Sequence, residues 1–332
     1  MNNALLVDRI DGENRLVIRP IDRREPGPGE VRYQVHAIGL NRADLLYLHG
    51  GHYTQTTFPS RIGFEAAGIV DAVGPGVTTV KVGDRVCAMP FGDPAYSVGG
   101  EFAITPEAFI APWPADYSAE EAAGAWMQYL TAYFPLKELA GVGPGDAVLV
   151  TAASSSAGLG AIQIARLLGA TVLASTRSAA KGDFLRQAGA DHVIVMDEGD
   201  VAGQIRAATG GKGARVVYEA VAGDFFHHYA DALAPGAMIF VYGAMGGSPT
   251  IDCPIVPLIR VAAQIHLYSL INQLRDAGAV ERSRAFVAAA MDAGTLRPII
   301  DRVFPFEQAL DAYAYMESGV QKGKIVMRTR HA

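Results

Sequence analysis

Cysteine is scarce in this chain. Its 332 residues include only Cys87 and Cys253, far apart and without CxxC spacing. That excludes a framework of several disulfides, and two reduced, buried thiols in a cytosolic protein are expected. Long apolar runs are also lacking. No stretch reaches the roughly 20 residues that a membrane-spanning helix needs, and Asp8, Arg9 and Asp11 interrupt any apolar start. No signal peptide and no membrane partner are therefore expected, and cytoplasmic residence is the default. Basic runs are absent as well. With a net charge of −6, nucleic-acid binding is not indicated. Charged residues make up only 19% of the chain and apolar residues half, so a large core can form, with length enough for two domains.

Turn punctuation and β-like runs fill the first third. Leu16-Val-Ile-Arg, residues 30–37 and residues 67–73 alternate with turns such as Glu25-Pro-Gly-Pro-Gly29 and Val82-Gly-Asp-Arg-Val86. This predicts a small, mostly β domain over residues 1–122. From Ser118 the pattern turns helical. Ser118 and Glu121 have capping-box spacing, and a helix containing residues 125–139 leads to Gly141-Val-Gly-Pro-Gly145. Residues 123–290 then alternate apolar runs with helical stretches, as in a parallel doubly wound α/β sheet. Residues 291–332 read as two strands around a helix over 306–318, returning to the first domain.

The most informative stretch is Ala147-Val-Leu-Val-Thr-Ala-Ala-Ser-Ser-Ser-Ala-Gly-Leu-Gly160, which reads as a buried strand, a tight turn and a helix start. Small residues in the turn let the backbone press against a pyrophosphate, and the helix directs its N-terminal amides and positive dipole end at the anion. It lacks the strict GxGxxG pattern, and a small-residue turn needed only for packing is the alternative reading. Ser154, Ser155, Ser156, Ala157 and Gly158 should surround the phosphates, with Ser156 and Ala157 as backbone donors. The next strand ends in Ser175-Thr176-Arg177, with Lys181 one turn on. An acidic residue usually binds the ribose hydroxyls at such a strand end. Hydroxyls and cations in its place favour a 2′-phosphate, and therefore NADPH over NADH. Lys181 also has a plain reading as a solvated helix lysine. Ala220, Val221, Gly243 and Met245 follow strand ends at the carboxyl edge, where ligands bind.

Other markers lie outside this unit: Gly39-Leu-Asn-Arg-Ala-Asp-Leu45, Gly63-Phe-Glu-Ala-Ala-Gly-Ile-Val70, Val82-Gly-Asp-Arg-Val86, Gln128-Tyr-Leu-Thr-Ala-Tyr133 and Lys322-Gly-Lys-Ile-Val326. With the loop, they make nearly the whole chain resemble the medium-chain dehydrogenase/reductase superfamily, and within it the zinc-free, zeta-crystallin-like quinone oxidoreductases. The resemblance implies a GroES-like domain for the substrate, a Rossmann domain for the cofactor, an active site in the cleft between them, and a homodimer through the Rossmann edge strands. In zinc-dependent members a Cys and a His-Glu pair hold the metal. Here the first position falls in Gly39-Leu-Asn41 and the second in Gly63-Phe-Glu65, and no group of four cysteines exists for a structural site. A metal-free protein is expected. His49 and His52, separated by Gly50-Gly51, read as solvated or substrate-facing. His227 and His228 are adjacent on a helix and face apart.

Without a strong Lewis acid, a conjugated acceptor is easier to reduce than a simple carbonyl, because charge delocalises onto a distant oxygen. The resemblance places Asn41 near the nicotinamide ribose and the substrate, Thr131 at the cofactor, Lys324 near the cofactor, and Tyr47 and Tyr53 on the substrate wall. Either phenol, or water, is a candidate donor to an enolate oxygen, and a purely aromatic wall is the other reading. Asp44 reads as a cap of the short helix holding Leu45 and Tyr47, and Glu65 as a local hydrogen-bonding residue without a catalytic role. The expectation is an NADPH-dependent, zinc-independent reductase of a quinone or α,β-unsaturated carbonyl. An enoyl-thioester reductase is the near alternative, and an NADPH-binding redox sensor or interaction protein is one from another class.

Overall fold

The computed structural model describes residues 2–248 and 250–332. The chain divides into two compact units, Met1–Met127 with Leu274–Ala332, and Gln128–Gln273. The main difference from the expected division at 290/291 is the helix Ala277–Asp292, which lies in the first unit. Arg284 on this helix donates to the carbonyls of Ala108 and Ile110 at 2.9 and 3.1 Å. Helical periodicity alone does not reveal such a tie.

The first unit opens with a hairpin, Asn2–Ile10 against Glu13–Ile21. Its turn residues Asp11 and Gly12 have φ of +53° and +82°, the two-residue geometry that matches hairpin twist. Most of the unit is a second sheet. Its strands run in the order Ile300–Pro305, Lys324–Arg328, Glu30–Gly39, Glu65–Val73, Arg85–Ala88 and Ile110–Pro112, with Phe102–Pro106 also paired to Glu30–Gly39. Tyr33, Val35 and Ile38 pack with Leu5, Val7, Ala66 and Val70 in its core. Lys324–Arg328 runs antiparallel to Glu30–Gly39, with Val326 opposite Gly39. This pairing carries Lys324 to the strand end that precedes Asn41. Ser118 and Glu121 form the capping box, at 3.2 and 2.9 Å, on the helix Ala119–Ala123.

The second unit is a doubly wound parallel sheet. Its strand order is His192–Val195, Thr171–Thr176, Ala147–Val150, Ala214–Glu219, Leu233–Val241, Gln264–Leu267. Numbered within the unit this is the Rossmann order 3-2-1-4-5-6. Ala147–Val150 is buried at every position, and Leu149, Leu173, Val217 and Ile239 share one core. Helical structure over 125–139 is not uniform: Trp126–Tyr133 is α-helical and Phe134–Leu139 widens into a π-turn. Pro135, lacking an N–H, cannot continue the regular ladder there. Cys87 is buried, while Cys253 is only half-buried.

Candidate functional site

In the second unit the glycine-poor loop is stitched to the strands on both sides. Thr151 N–H donates to the Tyr218 carbonyl at 3.1 Å and Ala153 N–H to the Ser175 carbonyl at 3.2 Å. Between them Ala152 takes φ +46°, a conformation that non-glycine residues adopt rarely and at some cost. Ser155 caps the helix Ser156–Leu167, its hydroxyl accepting from Gly158 N–H at 3.1 Å. The cap takes one first-turn amide and leaves those of Ser156 and Ala157 without intrahelical partners. A Cβ on Gly158 would lie 2.7 Å from Ala153 Cα and O, so this glycine lets the helix start close on the loop.

The end of Thr171–Thr176 carries the cations. Lys181 Nζ donates to Ser154 Oγ at 3.0 Å, which places the ammonium at the rim of the loop. Arg177 is exposed, and its guanidinium makes no hydrogen bond or ion pair with any described residue. Thr176 Oγ1 donates to the Ser178 carbonyl at 3.3 Å. Ser175 was expected at a phosphate, but it is 3% exposed and its carbonyl supports the loop. Its place is therefore beneath the site. The strand-end residues Ala220, Val221, Gly243 and Met245 come together: Met245 N–H donates to the Ala220 carbonyl at 2.8 Å, and a Cβ on Gly243 would lie 3.0 Å from that same oxygen. Two uncapped amides at a helix start, flanked by Lys181 and Arg177, fit a dinucleotide phosphate.

Glu219 was missed by sequence reasoning. It is buried at the end of Ala214–Glu219 and accepts from the N–H groups of Val221 and Ala222, at 2.5 and 3.1 Å. Burial pushes its carboxyl above the ordinary range, against those amides. It pins the loop that carries Ala220 and Val221. The available signal was an acid closing the apolar run Val-Val-Tyr-Glu.

In the first unit, Asn41 leads into the short helix Arg42–Leu48. The Asp44 carboxylate accepts from Asn41 N–H at 2.9 Å and Gly63 N–H at 3.2 Å, clasping the helix entry to the strand that begins at Glu65. Burial raises the Asp44 carboxyl to about 7 even so. The Asn41 amide is fully specified. Its oxygen accepts from Lys324 Nζ at 2.7 Å, and its nitrogen donates to the Gly39 carbonyl at 3.1 Å and Glu65 Oε1 at 3.2 Å. Lysine only donates, so the atom facing it must be the oxygen. Lys324 also pairs with Glu65 Oε1, whose other oxygen accepts from Met127 N–H at 2.8 Å.

This cluster changes three assignments. The Glu65 and Lys324 side chains are 0% exposed. Lys324 therefore presents no surface to a cofactor and acts on Asn41. Glu65 is the centre of the cluster and holds two side chains besides a backbone amide. Asn41 has committed both amide hydrogens and retains only an acceptor lone pair. Desolvation offsets much of the attraction in a buried pair, so what this one secures is the orientation of Asn41 rather than stability. Gly39 makes room for it: a Cβ there would lie 2.9 Å from both Glu65 Oε1 and Lys324 Cε.

The remaining candidates are placed as follows. Tyr47 OH accepts from Thr57 N–H at 3.2 Å and lies 3.0 Å from Ser60 Oγ. Ser60 gives its own hydrogen to the Thr57 carbonyl at 2.6 Å, so the Tyr47 hydrogen goes to Ser60. The phenol holds a loop and has no hydrogen to spare. Tyr53 is 65% exposed, its ring 4.0 Å from that of His52. Thr131 is buried on the helix Trp126–Tyr133. His49 pairs with Glu317 at 2.6 Å and His227 with Asp252 at 3.2 Å, and His228 packs on Phe225. Among the described residues no three His, Cys, Asp or Glu side chains are grouped to hold a metal.

Residues 27–134 match the family model described as alcohol dehydrogenase GroES-like domain, and residues 157–277 the one described as zinc-binding dehydrogenase. The zinc in that description does not fit the donors present here: Asn41 and Phe64 stand at the ligand positions, and an ammonium already neutralises Glu65. A 2-haloacrylate reductase from a Burkholderia species is 31% identical over 331 residues, 98% of each chain. Quinone oxidoreductase 1 of Escherichia coli is 34% identical over 226 residues, 68% of each chain. The solved structure of a mycobacterial protein complexed with NADPH shares the fold at a TM-score of 0.87 and 29% identity, covering 99% of this chain and all of that one. The chain thus belongs to the medium-chain dehydrogenase/reductase superfamily of oxidoreductases, in its zinc-free quinone oxidoreductase-like family.

Proposed function

We propose that the protein is an NADPH-dependent, zinc-independent reductase that delivers hydride to a quinone or an α,β-unsaturated carbonyl. The observation that carries this reading is the pair of cations at the end of Thr171–Thr176. Lys181 is bonded to loop residue Ser154, the exposed Arg177 guanidinium pairs with no described residue, and no carboxylate ends this strand. An arginine suits bidentate contact with a phosphate and a lysine acts as a point charge. The bound cofactor would supply hydride from its nicotinamide. Ser156 and Ala157 would donate to the pyrophosphate, and Arg177 and Lys181 to the 2′-phosphate. Asn41, held by Glu65 and Lys324, would accept from a ribose hydroxyl.

The acceptor class follows from what the side chains offer. With Asn41, Phe64 and a Glu65 already paired with Lys324 at the ligand positions, these side chains offer no donor set for a metal-bound Lewis acid. A conjugated acceptor needs none, because its π system carries the developing charge to a distant oxygen. An acrylate and a quinone, named in two of the relatives, are both conjugated systems of this kind. The reading includes a cytoplasmic homodimer. Among the described residues no helix is long and apolar enough to cross a membrane.

The test is oxidation of NADPH, with NADH beside it, against a benzoquinone, a naphthoquinone, an enone and an enoyl-coenzyme A. Turnover to hydroquinone or saturated carbonyl, with NADPH strongly preferred, is the expected result. Turnover confined to the enoyl thioester would move the substrate to that class. Tight NADPH binding without turnover on any acceptor would sink the reductase reading.

A further inference from the structure

An oxygen that gains negative charge needs a donor with a hydrogen to spare. The side-chain hydrogens of three polar residues in segment 41–64 can be followed. Those of the Asn41 amide go to Gly39 and Glu65, and that of Tyr47 goes to Ser60. His52 differs. Its Nδ1 accepts from the N–H of Thr54 at 3.1 Å, so this nitrogen carries no hydrogen. The neutral ring must carry it on Nε2. Nε2 makes no hydrogen bond with any described residue.

The His52 ring sits among aromatic side chains. The half-buried ring lies 4.0 Å from that of Tyr53, and 6.1 Å from each of Tyr47 and Phe64. Phe64 directly precedes Glu65, the carboxylate that holds Asn41. Desolvation in this aromatic setting lowers the imidazole pKa from its ordinary value, so the ring is neutral at neutral pH.

We propose that His52, through Nε2–H, is the catalytic residue that hydrogen-bonds the acceptor's carbonyl oxygen as charge develops on it. The inference rests on the reductase reading above and adds the donor which that reading leaves unassigned. The acceptor takes a hydride at its β-carbon, or at the conjugated ring position of a quinone, from the reduced nicotinamide, which is oxidised. The π electron pair moves to the carbonyl oxygen, and a proton from water completes the product. His52 stabilises the charge without giving up its proton and leaves the cycle unchanged. A neutral imidazole serves as an electrophile in this way where its protonated form is disfavoured.

Two variants and one spectrum test this. His52→Phe keeps the ring against Tyr53 and removes the donor, while His52→Gln returns an N–H near the place of Nε2. On the parent's best acceptor, His52→Phe is expected to lose kcat roughly hundredfold, the usual effect of removing one oxyanion donor. His52→Gln should recover much of that loss, and the dissociation constant for NADPH should stay unchanged in both. Independently of turnover, 15N long-range NMR of the cofactor-free protein should show the Nε2–H tautomer for His52. An active parent matched by His52→Phe, or an Nδ1–H tautomer, overturns the assignment of His52 and leaves the reductase reading intact. A parent that reduces no acceptor overturns the reductase reading, and the role of His52 falls with it.

Discussion

Opposing influences meet at Asp44. Its carboxylate accepts two backbone N–H bonds, which favour the charged form, yet complete burial prevails and raises the carboxyl from 3.8 to about 7. The folded protein therefore holds this proton more tightly than the unfolded chain does. The contribution of Asp44 to stability is complete below about 4 and is lost as pH rises through about 7. The thermal midpoint of the parent should fall between pH 5 and 8. Asp44→Asn should start lower, since an amide nitrogen cannot accept, but its midpoint should change less over that range. Parallel curves from calorimetry would refute the assignment. At the strand end the argument is one of difference. Replacing Arg177 and Lys181 by alanine should weaken NADPH by roughly 1.5–3 kcal/mol for each charged hydrogen bond lost and leave NADH nearly unchanged. Titration of protein fluorescence with each cofactor measures this. Equal weakening of both would refute the 2′-phosphate assignment.

The loop and first turn of Ser156–Leu167 act as one element, and Gly158 is its hinge of fit. Alanine there gains about 1 kcal/mol in helix propensity. Its Cβ, however, would stand 2.7 Å from Ala153 Cα and O, backbone atoms that cannot swing aside, and overpacking of that kind costs about 1–3 kcal/mol. The clash prevails. Gly158→Ala should lower stability and weaken NADPH binding together, read by thermal melts with and without cofactor. A variant as stable as the parent would show that the loop yields. This element was legible because a buried apolar run followed by small residues has few other uses. The hairpin at Asp11-Gly12 was legible too, since two residues at positive φ match that dipeptide, yet the β-like run was read only from Leu16. The cluster of Asn41, Glu65 and Lys324 could not be assembled in this way. Lys324 and Glu65 are separated by 259 positions, and no local pattern records that the strand Lys324–Arg328 returns beside Glu30–Gly39. The hydrogen count that removes Asn41 and Tyr47 as donors also depends on partners that only the fold supplies.

At the scale of the whole molecule the open question is association. The strand Gln264–Leu267 ends the six-stranded sheet on one side, and no strand among the described residues pairs with its outer edge. Soluble proteins usually blunt such an edge with charge or proline. Here Leu267 is 78% exposed, and the neighbouring helix Ile255–Arg260 exposes Ile255, Val256 and Ile259. Four large exposed apolar side chains on this strand and the helix that precedes it in sequence are the kind of surface that marks interaction sites. A second copy related by a two-fold axis would bring the same edge alongside antiparallel and bury the same residues on both chains. This edge is the seam to test for the proposed homodimer. Light scattering after size exclusion should give twice the chain mass of 35.1 kDa for the parent. Leu267→Glu combined with Ile259→Glu should give the mass of one chain, because two carboxylates per copy would be buried without partners across the seam. A parent that is monomeric at micromolar concentration, or a double variant that remains dimeric, would place the seam elsewhere.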